Sequence, residues 1–429
     1  MSMLKRMRLT FVGTGVSCGI PVIGHLTTDC ACRDAIANPS GPNRRNNVSL
    51  LISLPFREGE SGVVWHHVLI DCGKTFRDAY MRVLAPMGVK SVDALLITHG
   101  HADAMHCVEE LCCMQAEAAA RYVQSASPSS SSSSVARTVT PIAVPRTLRR
   151  VPTFVTAPTL HQIAMVSPEL VKKSLLIGSA PATKMAYHGV LAATADTAAT
   201  SSFSAEAPST VMDVFYMDDK KPQRMHVPLG PLSPVASAAQ GVDATDAASD
   251  LPFYSFPVEH GKGYVSMAWV FGRGTAFKSQ QTQQQQQPEG SCVVYISDVS
   301  HIPATSMAFL EDLVKIDVLV VDLLAEHGAP SASHYCADEA IPLVVKLTPR
   351  RTYFVGMFCS LEHHRTNALL AQELTELKMR YRSELDAVVP GSSLPAAMDA
   401  AEREKKRAFE SQVVSMELAY DGQALSMDA

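Results

Sequence analysis

The sequence predicts a layered α/β protein, with sheets packed inside and helices outside. Three observations lead there. Strand-like apolar runs dominate the first hundred residues, a long helical pattern interrupts them, and strands resume before strand and helix alternate towards the end. With 429 residues, 47% of them hydrophobic, the chain is long enough to bury a large core. Between the patterned stretches lie tracts too poor in apolar residues to contribute to that core.

The elements follow in order. Residues 9–12 read as a strand entering the turn at Gly13, which leaves no room for a removable apolar signal behind Lys5, Arg6 and Arg8. Strands are expected at 49–54, 64–70 and 94–98, and 3.6-residue periodicity predicts a helix over 105–122. A strand at 153–156 and a helical turn at 160–163 come next. Strands at 253–258, 265–271, 292–296 and 318–321 precede a helix at 337–347, a strand at 352–355 and a helix at 369–382. A charged helix at 400–412 and a strand within 413–420, turned by Asp421-Gly422, close the chain. Three biased tracts interrupt this order: 123–137 with serines at 125–134, 192–250 rich in Ala, Ser, Thr, Pro and Asp, and 278–290 with the glutamines of 280–287. Such compositions predict disordered surface insertions in one domain spanning 1–429. No internal repeat at a solenoid period is present.

Composition excludes several classes. No apolar run approaches the roughly 18 residues that cross a bilayer, so a soluble protein without a membrane partner is expected. The 37 basic and 42 acidic residues leave a formal charge of −5, which gives no electrostatic reason for general nucleic-acid binding. Ten cysteines lack the density of a secreted disulfide framework. They predict reduced thiols of the cytoplasm or nucleus, some available to metal.

The most informative segment is the hydrophobic strand from Asp93 that ends in His99, His101 and Asp103. Residues two apart at a strand end converge only where the chain turns, and Gly100 eases that turn. Imidazole and carboxylate are donors that zinc and similar divalent ions accept. Ordinary loop polarity is the competing reading of this string taken alone. Three more strands run directly into metal-type residues: Val258-Glu259-His260, Ile296-Ser297-Asp298 and Val355-Gly356-Met357-Phe358-Cys359.

With these motifs the sequence resembles the metallo-β-lactamase fold superfamily, in particular the branch of phosphonate-utilisation cyclic phosphodiesterases and their eukaryotic relatives, with ribonuclease Z more distant. Gly13-Thr14-Gly15 through Pro21 resembles the family's glycine-rich first hairpin, Asn43-Arg44-Arg45-Asn46-Asn47 its basic segment, and Leu69-Ile70-Asp71-Cys72-Gly73 its strand with a buried aspartate. The resemblance implies a four-layer αββα metallo-β-lactamase sandwich carrying low-complexity insertions. It also implies a first metal, zinc, held tightly by His99, His101, His260 and Asp298.

At the second metal the chain departs from the pattern. Ala104 stands where H-x-H-x-D-H has its last histidine, and Cys359 where an imidazole is usual. Asp103, Asp298 and Cys359 remain as donors for a weaker site, taking zinc or manganese. Relatives with His-Ala-Asp-Ala resemble this chain, so Ala104 alone does not imply inactivity. His106 is either a substitute ligand or a helix-surface residue. His25, Cys30, Cys32 and His363 map onto the branch's structural zinc, with buried reduced thiols as the alternative. Ser333-His334-Tyr335 resembles the loop whose histidine contacts a substrate phosphate, and Asp322 is expected to orient a ligand. Glu259, His301, His327 and His364 read as solvated polar residues.

The activity implied is a metal-dependent hydrolase, a phosphodiesterase acting on a small or cyclic phosphodiester, with Asp103 handling the water and its proton and His334 stabilising substrate charge. The alternative is a weakened or inactive metal-binding protein of the same fold that keeps the cleft for a ligand or partner. Fold alone does not choose between them. A homodimer is the protein partner expected.

Overall fold

Near-continuous runs of branched and aliphatic residues form the central strands, the pattern of strands covered on both faces. The computed structural model describes residues 2–4, 6–25, 30–58, 62–126, 148, 150–177, 211–227, 229, 251–281, 288–386 and 399–428. The chain divides into two compact units, Met1–Met3, Leu51–Met217 and Val227–Ser249 in the first, Leu4–Leu50, Asp218–His226 and Asp250–Ala429 in the second.

In the first unit the strand Ser49–Glu58, which enters from the other unit at Leu51, lies beside Gly62–Ile70. A parallel series follows: Gly62–Ile70, Ala94–Leu96, Arg150–Val155, Val211–Tyr216 and Leu175–Ile177. Parallel neighbours need crossovers, supplied by helices at Phe76–Ala79, Ala102–Met105, Val108–Ala126, Ala157–Val166 and Pro168–Lys173. The helix Ala157–Val166 starts where Thr156 accepts from the Thr159 amide and Pro158 occupies the first turn. The parallel pairing leaves the carboxyl ends of Gly62–Ile70 and Ala94–Leu96 side by side, in register from Val68 with Ala94 to Ile70 with Leu96. That is where Asp71 and His99 emerge.

The second unit holds a seven-stranded sheet in the order Ser415–Leu418, Arg351–Val355, Val318–Asp322, Val293–Ile296, Val265–Phe271, Phe253–Glu259 and Gln223–Met225. Its first four strands are parallel and the rest antiparallel. Arg6–Gly13 pairs antiparallel with Ala424–Asp428. The helix Ala337–Leu347 has the bounds its periodicity predicts, and so does Ala400–Gln412, whose first turn is capped by the Asp399 carboxylate accepting from the Glu402 amide at 2.7 Å. The helix predicted at 369–382 starts earlier, at His363, because the Glu362 side chain accepts from the Arg365 amide at 2.8 Å. Phe409 of Ala400–Gln412 is fully buried and meets Tyr381 of His363–Asp386 edge to face at 5.3 Å.

The biased tracts need one correction. Inside 192–250, expected to be disordered throughout, Val211–Tyr216 and Gln223–Met225 are sheet strands. A buried Asp213 breaks the apolar pattern of the first and is held by Arg150. In the tract 278–290, Lys278–Gln280 forms a short helical turn tied to Asp312. The rest of that tract at 282–287, the residues 127–137, and 192–210, 228 and 230–250 lie outside the described residues. Sequence periodicity also passes over the short helices Ala31–Ala37, Phe76–Ala79, Pro168–Lys173 and Ala304–Glu311, which offer too few turns for a pattern. Among the described residues no helix is long and apolar enough to cross a membrane.

Phe409→Ala should cost about 3–5 kcal/mol, the usual range for emptying a buried aromatic site. Urea unfolding of the full chain measures it, and a loss below about 1 kcal/mol would show that the site collapses around the deletion.

Candidate metal centres

In the first unit the metal-type residues are arranged around Asp71. Asp71 is buried at the end of Gly62–Ile70 with φ +62°, the left-handed region that aspartate tolerates better than most residues. Its carboxylate accepts from the Thr98 amide at 2.8 Å and from the Thr98 hydroxyl at 2.9 Å. With that hydroxyl proton directed at Asp71, the same oxygen accepts from His99 Nδ1 at 2.8 Å. His99 is therefore the Nδ1–H tautomer and presents the lone pair of Nε2, the form a metal binds. His99 Nε2 lies 3.9 Å from Asp103 Oδ1, and the His99 and His101 rings meet edge to face at 4.7 Å.

The turn carrying these residues is pinned by backbone. The Cys72 amide donates to Ala104 O at 2.7 Å, Lys74 to Ala102 O at 3.0 Å, and Cys107 to Cys72 O at 2.9 Å. Gly73 sits so close that a Cβ there would lie 1.6 Å from the Asp103 carbonyl oxygen. Ala104 is buried inside the turn, and His106 is exposed at the end of Ala102–Met105. The surface reading of His106 holds.

In the second unit His260, Asp298 and His334 each bring a donor atom within 4.8 Å of the others. His260 Nδ1 donates to the Ser333 carbonyl at 2.7 Å, which again leaves Nε2 as the electron-pair donor. His334 Nδ1 donates to Asp322 Oδ2 at 2.8 Å and lies 4.0 Å from Asp298 Oδ1. Asp322 is wholly buried; burial pushes its carboxyl up to about 6, against the opposing pull of His334. It also accepts from the Val299 amide at 3.3 Å. Gly356, at φ +76°, gives Asp322 its room, since a Cβ there would stand 2.2 Å from Oδ1. Asp322 thus orients His334, the kind of role its place at a strand end suggests.

A second cluster in this unit changes two assignments. His25, Cys30, Cys32 and Cys359 bring their donor atoms within 4.8 Å of one another. Cys359, expected at the second metal position, lies with its sulfur 3.2 Å from His25 Nδ1. His363, expected as the fourth member of the group, instead contacts Asn367 Nδ2 at 3.1 Å and stacks edge to face on Tyr420. The cause is the turn between Val355 and His363. Its Cys359 carbonyl accepts from the Ala31 amide at 2.9 Å, which sets the sulfur beside the Cys30 and Cys32 segment. The donors fit a soft divalent ion: three thiols and an imidazole suit tetrahedral zinc, with Zn–S bonds of about 2.3 Å. Burial raises the Cys32 and Cys359 thiols above the ordinary range.

Arg45, from the basic segment, is invisible to sequence reasoning as a support. It is buried, and its guanidinium donates to the carbonyls of Phe358 at 3.3 Å and Leu361 at 2.8 Å, on both sides of Cys359. Asn43 donates to Asp34 and to Glu362 and accepts from the His363 amide. Thr98 and Ser333 owe their roles to partners distant in sequence, Asp71 and His260, which no local motif reveals. His327 bridges Asp338 and Glu373 on the surface, in keeping with a solvated polar residue.

Residues 66–247 match the Beta-lactamase superfamily domain. Over 99% of both chains the structure is similar to a new diphosphatase from the PhnP family, at 19% identity and a TM-score of 0.53. A long form RNase Z from yeast is similar at 12% identity and a TM-score of 0.47, over 98% of this chain and 42% of that one. The metallo-β-lactamase fold protein YhfI from Bacillus subtilis is similar at 11% identity and a TM-score of 0.42, over 98% and 99%. No curated relative matches the chain. At such identities the likeness is one of fold.

Two predictions follow from these contacts. Gly73→Ala must displace the Asp103 backbone, so it should lower both stability, by about 1–3 kcal/mol, and bound metal; unchanged metal content would separate the turn from the donors it carries. His363 is pushed down to about 4 from 6.5, first by burial and then by Arg45 and His364. The unfolded chain therefore takes up this proton before the folded one does, and stability falls as pH drops from 6.5 to about 4. His363→Asn should flatten that fall, by up to about 3 kcal/mol at the acid end. Equal slopes in urea unfolding across the window would contradict it.

Proposed function

We propose that the chain is a metal-dependent hydrolase of small or cyclic phosphodiesters, working in the cytoplasm; the match of residues 66–247 to the Beta-lactamase superfamily domain and the likeness of fold to a PhnP-family diphosphatase support this reading. His99, His101, His260 and Asp298 hold the metal, and three imidazoles with one carboxylate favour zinc. When bound, the metal supplies a nucleophilic water at neutral pH and polarises the phosphoryl centre.

The observation that carries this reading is the preset tautomer of two buried histidines: Nδ1 of His99 is held on Thr98, Nδ1 of His260 on the Ser333 carbonyl, and both keep Nε2 for a cation. Asp103 orients the water and accepts its proton. In its imidazolium form His334, with Nδ1–H on Asp322, offers Nε2–H to a substrate oxygen as charge develops there. A phosphoryl substrate also accords with the similarity to a diphosphatase. Ala104 favours a second reading, a catalytically weakened metal-binding protein that retains the site for a ligand or partner.

The zinc-loaded full chain assayed with bis(p-nitrophenyl) phosphate distinguishes the two. His260→Ala should lose the metal and the rate together, while His334→Ala should keep the metal and lose about 10²–10³-fold in kcat. Metal retained by His260→Ala would overturn the ligand assignment. A metal-loaded wild type without turnover would leave the second reading.

A further inference from the structure

The sheet of the second unit does not by itself bring His260 and Asp298 together. Their strands, Phe253–Glu259 and Val293–Ile296, are not neighbours: Val265–Phe271 lies between them, paired with the first as far as Glu259 and Val265 but with the second only from Phe271 to Trp269. Both residues stand beyond these pairings. We infer that Ser300 is a positioning residue whose hydroxyl fixes the separation of His260 from Asp298. This rests on the proposed function only for reading these two residues as metal ligands, and every contact used lies within the second unit.

The hydroxyl brackets His260. Ser300 Oγ accepts from the Gly261 amide at 2.8 Å and donates to the Glu259 carbonyl at 3.1 Å, so one side chain holds the residues on either side of the histidine and uses both its accepting and its donating capacity. Gly261 is in a left-handed conformation, φ +81°, which glycine adopts without strain. Backbone completes the contact: the Ser300 amide also donates to the Glu259 carbonyl, at 2.7 Å, and the Glu259 amide to the His301 carbonyl, at 2.8 Å. Ser300 follows Asp298 almost directly, so the segment that carries the carboxylate is the segment that grips the histidine.

Ring and backbone of His260 are held by different groups. Its Nδ1–H rests on the Ser333 carbonyl at 2.7 Å, and its own amide donates to the Tyr264 carbonyl at 2.8 Å. Removing the Ser300 hydroxyl therefore leaves the tautomer in place and the strand end on the Ser300 amide, but it removes the tie between Gly261 and the Asp298 segment. Donor atoms of His260, Asp298 and His334 lie within 4.8 Å of one another, and a binding constellation works only when held to within about 0.5 Å of its geometry. A hydroxyl that joins two donor-bearing segments thus acts on metal affinity more than on the fold.

Competition of the full chain for zinc against a chelator of known affinity tests the clamp, and the ion that His260→Ala fails to bind identifies the site being read. Ser300→Ala should bind that ion about 10–100-fold more weakly, the usual cost of losing a group that orients a ligand, with the circular dichroism of the zinc-free chain unchanged. Ser300→Thr, which keeps the hydroxyl, should bind it as the wild type does, and Ser300→Val, its isostere without the hydroxyl, should not; this pair decides the matter if Ser300→Ala does not fold. Wild-type affinity in Ser300→Ala or Ser300→Val, equal losses in Ser300→Thr and Ser300→Val, or an unchanged ion count in His260→Ala would each overturn the inference. If the zinc affinities follow this order while the loaded wild type does not hydrolyse bis(p-nitrophenyl) phosphate, the hydrolase reading fails and the positioning role stands.

Discussion

Each unit is organised around a carboxylate buried at the end of a parallel strand. A buried carboxylate without donors costs several kcal/mol, so the chain around it is constrained to supply them. Asp71 draws in the Thr98 amide and hydroxyl, and through that hydroxyl decides which nitrogen of His99 carries the proton. Asp322 draws in the Val299 amide and His334 Nδ1, and so sets the ring of His334. The two arrangements are chemically alike although their sequences are not: a carboxylate on one strand settles the orientation of a group that emerges from a neighbouring loop or strand.

Close backbone approach is what allows such packing. Gly73 lies against the Asp103 carbonyl, and Gly356, in a left-handed conformation, lies against Asp322. At both positions a methyl group would fall inside contact distance, so the glycines act as spacers for the polar groups beside them. The parallel portions of the mixed sheets provide the frame. Their strands end side by side, and the turns that follow them gather residues from separate parts of the chain.

Arg45 makes the turn around Cys359 a fixed structure rather than a surface loop. A buried guanidinium must find acceptors, and it finds them in two carbonyls of that turn, while Asn43 closes the start of the next helix through the His363 amide. Asp421 adds a further tie, accepting from Thr14 and from the Asn46 amide. The basic segment near the beginning of the chain thus holds a turn more than 300 residues later. Its charge serves the interior, which is why reading it as a surface feature would mislead.

Local chemistry was enough to determine the α/β class, nearly all the long strands, and two helices to the residue, because periodicity and apolar runs are properties of neighbours in sequence. His99, His260 and Asp298 also stand out locally, as polar residues within three positions of a strand end. Tertiary structure decided the rest. Val211–Tyr216 is a strand despite its biased surroundings because Arg150 answers the buried Asp213. Cys359 belongs with His25, Cys30 and Cys32, and His363 does not, because a carbonyl of one turn meets the amide of Ala31. A side chain's direction and a histidine's tautomer depend on partners that folding brings from far along the chain, and no local pattern of residues contains them.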